Sequence, residues 1–187
     1  MDKKKFRKEC LYKLRSGNQV NSYKIDKNWE KEFYKYIKKE KIHSVMLYIP
    51  LKIEVNVSGL IKKLRKEKKL VLVPFMEGES FSLVKYRLPL KIKQFGVKEP
   101  KYSNRYNNKI DLAIVPIIGT DSTMRRIGFG KGFYDRFFAK NRKQIKKILF
   151  VSRKYCLCSE IITDDYDVKG EFYLTPIKRF LKRKPRI

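Results

Sequence analysis

Apolar residues open the chain at helical spacing. Phe6, Cys10 and Leu14 stand four apart in "KKKFRKECLYKLR", which gathers them into one stripe of a basic helix. Lys3 and Arg7 share a face of that helix, one turn apart. A second helix is predicted over 26–41, "DKNWEKEFYKYIKKEK", with Asp26 as its cap and Trp29, Phe33, Tyr36 and Ile37 as its buried face. A third follows in "NVSGLIKKLRKEKK", capped by Asn56 or Ser58, with Leu60, Ile61 and Leu64 turned inward.

Elsewhere the pattern is that of strands. Five segments are predicted: "SVMLYIP" at 44–50, "LVLVP" at 70–74, "FSLVKY" at 81–86, "DLAIVP" at 111–116 and "KILFVS" at 147–152. Three of them are continuous apolar runs, which suit strands covered on both faces, as in a mainly parallel sheet. After "DLAIVP" come a polar turn, a glycine stretch and a helix through "FYDRFFAK". This alternation predicts one α/β domain over 1–187, a three-layer, Rossmann-like fold with a central mainly parallel sheet flanked by helices. Residues 87–110, including "QFGVKEP" and "YSNRYNNK", read as a long loop.

Composition adds a strong constraint. Lys and Arg number 47 against 19 Asp and Glu, a net charge of +28 on 187 residues, so the surface field favours anionic partners. The basic residues are spread from end to end rather than gathered in one stripe, which also fits solvated faces. Three cysteines, Cys10, Cys156 and Cys158, are an odd number without a secretory signal, so reduced thiols and a cytoplasmic setting are expected. No apolar run approaches the length of a membrane span.

The chemistry concentrates in "RRIGFGKGFYDRFF", 125–138. Gly128, Gly130 and Gly132 let the backbone approach a ligand closely, and the helix that follows offers unpaired N–H groups to an anion. Lys131, Arg125 and Arg126 add charged donors, so phosphate is the natural guest, although a tight packing turn would look the same. The stretch is neither a GxxxxGK[ST] loop nor GxGxxG. Asp135 is the odd member: either a first-turn acid favoured by the helix dipole, or a magnesium ligand that makes room for phosphate.

"DLAIVP" followed by "RRIGFGKGFYDRFF" resembles the signature of the 5-formyltetrahydrofolate cyclo-ligase (methenyltetrahydrofolate synthetase) family. "KKKFR", "LYIPLKIEV", "LVLVP", "GVKEP" and "YDVKGEFYLT" are similar to the family's other landmarks. The resemblance implies ATP- and magnesium-dependent closure of 5-formyltetrahydrofolate to 5,10-methenyltetrahydrofolate through a phosphorylated imidate, with release of ADP and phosphate. It assigns ATP contacts to Lys3, Arg7 and the run Arg126, Ile127, Gly128, Phe129, Gly130, Lys131, Gly132, Phe133 and Tyr134, with Lys131 and Arg126 at the transferring phosphate. Folate falls to Ile49, Glu54 and the stretch Phe129 to Phe133, and magnesium to Asp135 and Asp167. The expected state is a monomer acting on folate, polyglutamylated in the cell, without membrane or nucleic-acid partners.

Three departures stand out. "IIGTDS" puts Thr120 before Asp121 where the family usually has a Gly and then an aromatic-Asp pair, and Phe75 occupies a commonly basic position, so that one phosphate or folate contact is either missing or supplied by Lys85 or Arg87. Phe129 replaces a frequent Arg or Tyr. The ending "KRFLKRKPRI" reads as a solvated tail or as an attractor for polyglutamate. The rival reading is a basic nucleic-acid-binding protein whose Tyr and Phe stack on bases.

Overall fold

The continuous apolar runs form the middle of a sheet covered on both faces. The computed structural model describes residues 1–16, 22–93 and 96–175, together with the backbone of Leu181–Lys182. In chain order the elements are α1 (Lys3–Arg15), α2 (Ser22–Lys39), β1 (Ser44–Met46), α3 (Ser58–Lys66), β2 (Leu70–Glu77), β3 (Ser80–Lys85), β4 (Leu90–Ile92) and β5 (Lys98–Pro100). Then follow β6 (Ile110–Pro116), β7 (Gly119–Asp121), β8 (Arg126–Ile127), α4 (Phe133–Asn141), β9 (Ile145–Val151), β10 (Leu157–Cys158), β11 (Phe172–Leu174) and β12 (Leu181–Lys182).

The main sheet runs β12-β11-β9-β6-β1-β2-β3. Its inner pairings, β1 with β2, β1 with β6, β6 with β9 and β9 with β11, are parallel; β3 and β12 are antiparallel edges. Alternation along each strand sorts the core. Val45, Leu112, Ile114, Leu149 and Val151 face Trp29, Phe33 and Ile37 of α2 and Leu60, Ile61 and Leu64 of α3. Met46, Ala113, Val115, Ile148 and Phe150 face Phe137 and Phe138 of α4 on the other side. This is the expected three-layer α/β fold.

α1 belongs elsewhere. Phe6 and Cys10 bury themselves against Ile118, Ile127 and Cys156, over a small sheet of order β10-β7-β8. Here the structure corrects the sequence: Cys10 and Cys156 are joined by a disulfide, and only Cys158 is a free thiol. Spacing hid the pair because 146 residues separate them; the parallel pairing of β10 with β7 is what brings Cys156 under α1.

Two local details also differ. α2 begins at Ser22, so Asp26 lies inside the helix rather than capping it. Asn56 accepts the amide of Ser58 and closes the turn into α3. Within 87–110, predicted as loop, β4 and β5 pair antiparallel, and Gln94 and Phe95 lie outside the described residues. The same holds for the basic ending, apart from the backbone of Leu181–Lys182. Among the described residues no helix is long and apolar enough to cross a membrane.

Candidate functional site

From β1 the chain crosses through α3 to β2 on one side, and from β6 it crosses through α4 to β9 on the other. Adjacent strands β1 and β6 therefore flank a switch point, and a crevice opens beyond their carboxyl ends. A cavity of about 350 Å³ lies there, within the range of small-molecule sites. Ile49 follows β1, Pro116 ends β6, and Phe81, Phe129 and Phe133 complete its apolar walls.

Glu54 supplies an acid to one wall. Its carboxylate accepts the amide of Leu51 at 2.8 Å, and its own amide donates to the Leu51 carbonyl, so residues 51–54 form a turn closed on itself. Glu54 lines the cavity and is otherwise largely enclosed by protein. Burial pushes Glu54 from the ordinary 4.5 up to about 7, against the pull of the Leu51 N–H and the charges of Arg126 and Arg153. Tyr48 and Tyr134, also on the cavity wall, are pushed up by burial and by the nearby Glu54.

The glycine turn forms the opposite wall. Arg126 is 6 % exposed, its guanidinium 4.7 Å over the Tyr134 ring and 3.5 Å from Asp135. A Cβ on Gly128 would lie 2.3 Å from Nη2 of Arg126, so glycine is what lets this buried cation stand there. Gly130 and Gly132 have φ of 92° and 68°, angles that side chains resist, and Gly132 leads directly into α4. Lys131, between them, lines the cavity. Arg136 holds this turn from outside, donating to the carbonyls of Lys131 at 2.6 Å and Glu79 at 2.5 Å.

α1 reaches the same turn. Arg7 Nε donates to the Gly128 carbonyl at 2.8 Å, and Lys3 binds Asp164 at 2.9 Å and also Asp167. Burial opposes charge on Lys3, but the two carboxylates outweigh it and its pKa is raised. Asp135 accepts the amide of Val168 at 3.2 Å, which brings the two predicted metal acids, Asp135 and Asp167, into adjoining stretches. Asp121 explains how the loop carrying Asp164 and Asp167 is held. Fully buried, it accepts the amides of Ile162 at 3.1 Å, Thr163 at 3.0 Å and Thr123 at 2.9 Å. The unusual "GTDS" turn is thus a hub of hydrogen bonds rather than a contact with the cavity.

The structure therefore gathers Ile49, Glu54, Arg126, Phe129, Lys131, Gly132, Phe133 and Tyr134 around one cavity, with Arg7 and Gly128 just behind. Ile127 departs from the expectation: its side chain is buried in the α1 core, and its carbonyl accepts from Ile118. Arg125 turns away to Asp165. Met76, Val97 and Lys98 line the cavity without having been anticipated. Lys98, in the quoted "GVKEP", is a cation at this cavity, whereas neither Lys85 nor Arg87 lines it. Its signal was present in the sequence, but only the β4–β5 hairpin reveals which way it faces.

Comparison with known proteins identifies the family. The sequence profile of the 5-formyltetrahydrofolate cyclo-ligase family matches residues 1–176. A 5-formyltetrahydrofolate cyclo-ligase of Mycoplasma genitalium is 27% identical over 171 residues, 89% of this chain and 93% of that protein. One from Haemophilus influenzae is 30% identical over 109 residues, 54% of this chain and 58% of that protein. The solution structure of Aquifex aeolicus 5,10-methenyltetrahydrofolate synthetase superposes with a TM-score of 0.81 at 27% identity, covering 100% of this chain and 95% of that one. With the signature residues gathered at one cavity and a family match spanning nearly its whole length, the chain belongs to the 5-formyltetrahydrofolate cyclo-ligase family.

Proposed function

We propose that the protein closes 5-formyltetrahydrofolate to 5,10-methenyltetrahydrofolate at the expense of ATP, releasing ADP and phosphate. The observation that carries this reading is the pairing of an acid, Glu54, with the cationic glycine turn across a single cavity. The amino-pyrimidinone ring of a folate presents adjacent N–H donors, which a carboxylate accepts. A nucleotide presents phosphate oxygens, to which Arg126, Lys131 and the N–H groups at the start of α4 donate.

In this reading the formyl oxygen attacks the γ-phosphoryl group and the bond to the β-phosphate breaks. Nitrogen 10 then attacks the phosphorylated formyl carbon, the carbon–oxygen bond breaks, and phosphate and the N10 proton depart. Phosphoryl transfer needs positioning and charge stabilisation more than a nucleophilic side chain, and the cavity offers that inventory. Arg126 and Lys131 balance charge on the transferring group, Glu54 orients the ring, and the walls of Ile49, Phe81 and Phe133 keep water from the activated formyl group.

The family's magnesium fits the residues present. Among the described residues no cluster of three His, Cys, Asp or Glu side chains exists, but magnesium needs only one or two carboxylates beside phosphate oxygens and water. Asp135 and Asp167 would hold it, where it would neutralise charge on the phosphates. In this structure the two acids pair with Arg126 and Lys3, the cations that ATP would draw toward its phosphates.

The test is turnover: purified protein, 5-formyltetrahydrofolate and MgATP, followed by the near-ultraviolet absorbance of the methenyl product. Absorbance that grows only with all three components is expected. A folded protein that gives none, yet binds oligonucleotides tightly, is instead the basic nucleic-acid binder. The positive surface would speed encounter with ATP and with polyglutamylated folate, more at low salt than at high.

A further inference from the structure

Glu54 sits on a four-residue turn rather than on a strand or helix, so something must fix that turn against the sheet. Its internal bonds, Glu54 amide to Leu51 carbonyl at 3.0 Å and Leu51 amide to Glu54 carboxylate at 2.8 Å, close the turn but anchor it to nothing. The anchor comes from Arg153, just beyond β9. Its Nη1 donates to the carbonyl of Lys52, inside the turn, at 2.8 Å. Its Nε and Nη2 donate to the two carboxylate oxygens of Asp26 at 3.2 Å and 2.7 Å. Both side chains are largely covered, 19 % and 13 % exposed.

The geometry points to Asp26 and Arg153 as positioning residues for the folate acid: the forked pair ties the 51–54 turn to α2 and to the end of β9, fixing where Glu54 enters the cavity. The inference rests on the folate reading of that cavity. A forked ion pair with its third donor on a backbone carbonyl needs the planar guanidinium, which lysine cannot imitate. Arg153 is among the charges that draw the Glu54 pKa down, but its bonds to the turn and to Asp26 are what set where the carboxylate stands. Behind the turn, Ile53, Glu54, Phe129 and Arg153 border a second void of only about 10 Å³. Asp26 is the residue that the sequence read as a helix cap; extending α2 back to Ser22 frees its carboxylate for this role.

The test uses Arg153→Ala, Arg153→Lys and Asp26→Asn in the full chain. Each is expected to raise KM for 5-formyltetrahydrofolate about tenfold, with KM for ATP and kcat within about twofold, because displacement of one binding group weakens ground-state and transition-state contacts alike. The double variant Asp26→Asn with Arg153→Ala is expected to be no worse than either single one, as for residues acting as a unit. Amide exchange at Leu51 and Glu54, read on the protein without substrates, should quicken in all three. If Arg153→Ala fails to fold, Asp26→Asn and Arg153→Lys carry the same comparison. Wild-type KM and wild-type exchange in the variants overturn the proposal. So does full recovery with Arg153→Lys, which would make charge alone sufficient, or a parallel rise in KM for ATP. Lack of turnover in the wild type would overturn the folate reading instead, while the exchange measurement still reports on the clamp.

Discussion

Gly128 and Arg126 share one space: the guanidinium of the arginine lies where a Cβ on the glycine would be, 2.3 Å from Nη2. Gly128→Ala therefore displaces the most buried cation of the site. Because the displaced atoms end a flexible side chain, the fold survives, and the loss falls on function. Turnover is expected to drop roughly 100-fold, as when one donor to a developing charge is removed, while the melting temperature changes little. A thermal melt beside steady-state kinetics checks both halves.

Glu54 gives the protein a pH signature. Unfolded, its carboxyl ionises near 4.5; folded, it keeps its proton until about 7. The folded state binds the extra proton between these values, so this group lowers stability progressively as pH climbs through that window, and the loss is complete above it. Glu54→Gln lacks the penalty and is expected to melt higher than the wild type at about pH 8, the two converging near the ordinary carboxylate value. Folate affinity should run the other way. It rises through about 7 in the wild type as the carboxylate forms, and stays weak at every pH in Glu54→Gln. Melts and KM measured across pH separate the two effects.

Asp135→Asn keeps an oxygen for the Val168 amide, 3.2 Å away, but loses the charge that a cation needs. The magnesium concentration for half-maximal rate is expected to rise about tenfold or more, with the fold unaltered. A magnesium titration of the initial rate decides it. An unchanged midpoint would remove Asp135 from the metal assignment.

The Cys10–Cys156 bond closes a loop of 146 residues. Reduction, or Cys10→Ser, is expected to cost about 2–4 kcal/mol of stability. Thiol titration of the denatured chain offers a direct count. One reactive group, Cys158, is expected before reduction and three after it.

The layers of the fold were legible in the sequence because β6 and β9 each carry an unbroken apolar run, 112–116 and 148–151, and α2 and α3 are apolar on one side only; period and burial are the same information. The glycine turn was legible because its residue types are unusual and contiguous. What escaped was whatever depends on contacts across the sheet. Lys98 reaches the cavity through a hairpin whose pairing has weak local signals, Arg153 is one basic residue among 47, and Cys156 meets Cys10 only after β10 pairs with β7. The side chain of Ile127 is placed in the same way. It stands within the motif, but a strand of two residues, β8, turns it toward α1.

The seating of α1 on β7, β8 and the loop before β10 has a consequence for synthesis. Lys3, Arg7 and Cys10 precede their partners Gly128, Cys156, Asp164 and Asp167 by 121 to 164 residues. At about 5–20 residues per second, the first helix waits on the order of ten seconds for a surface to rest on. A chain stopped before β10 already carries Glu54, Arg126 and Lys131, but its α1 lacks the strand that pairs with β7 and the carboxylates of Asp164 and Asp167. Complete seating of α1 thus waits until the chain has run on through Asp167.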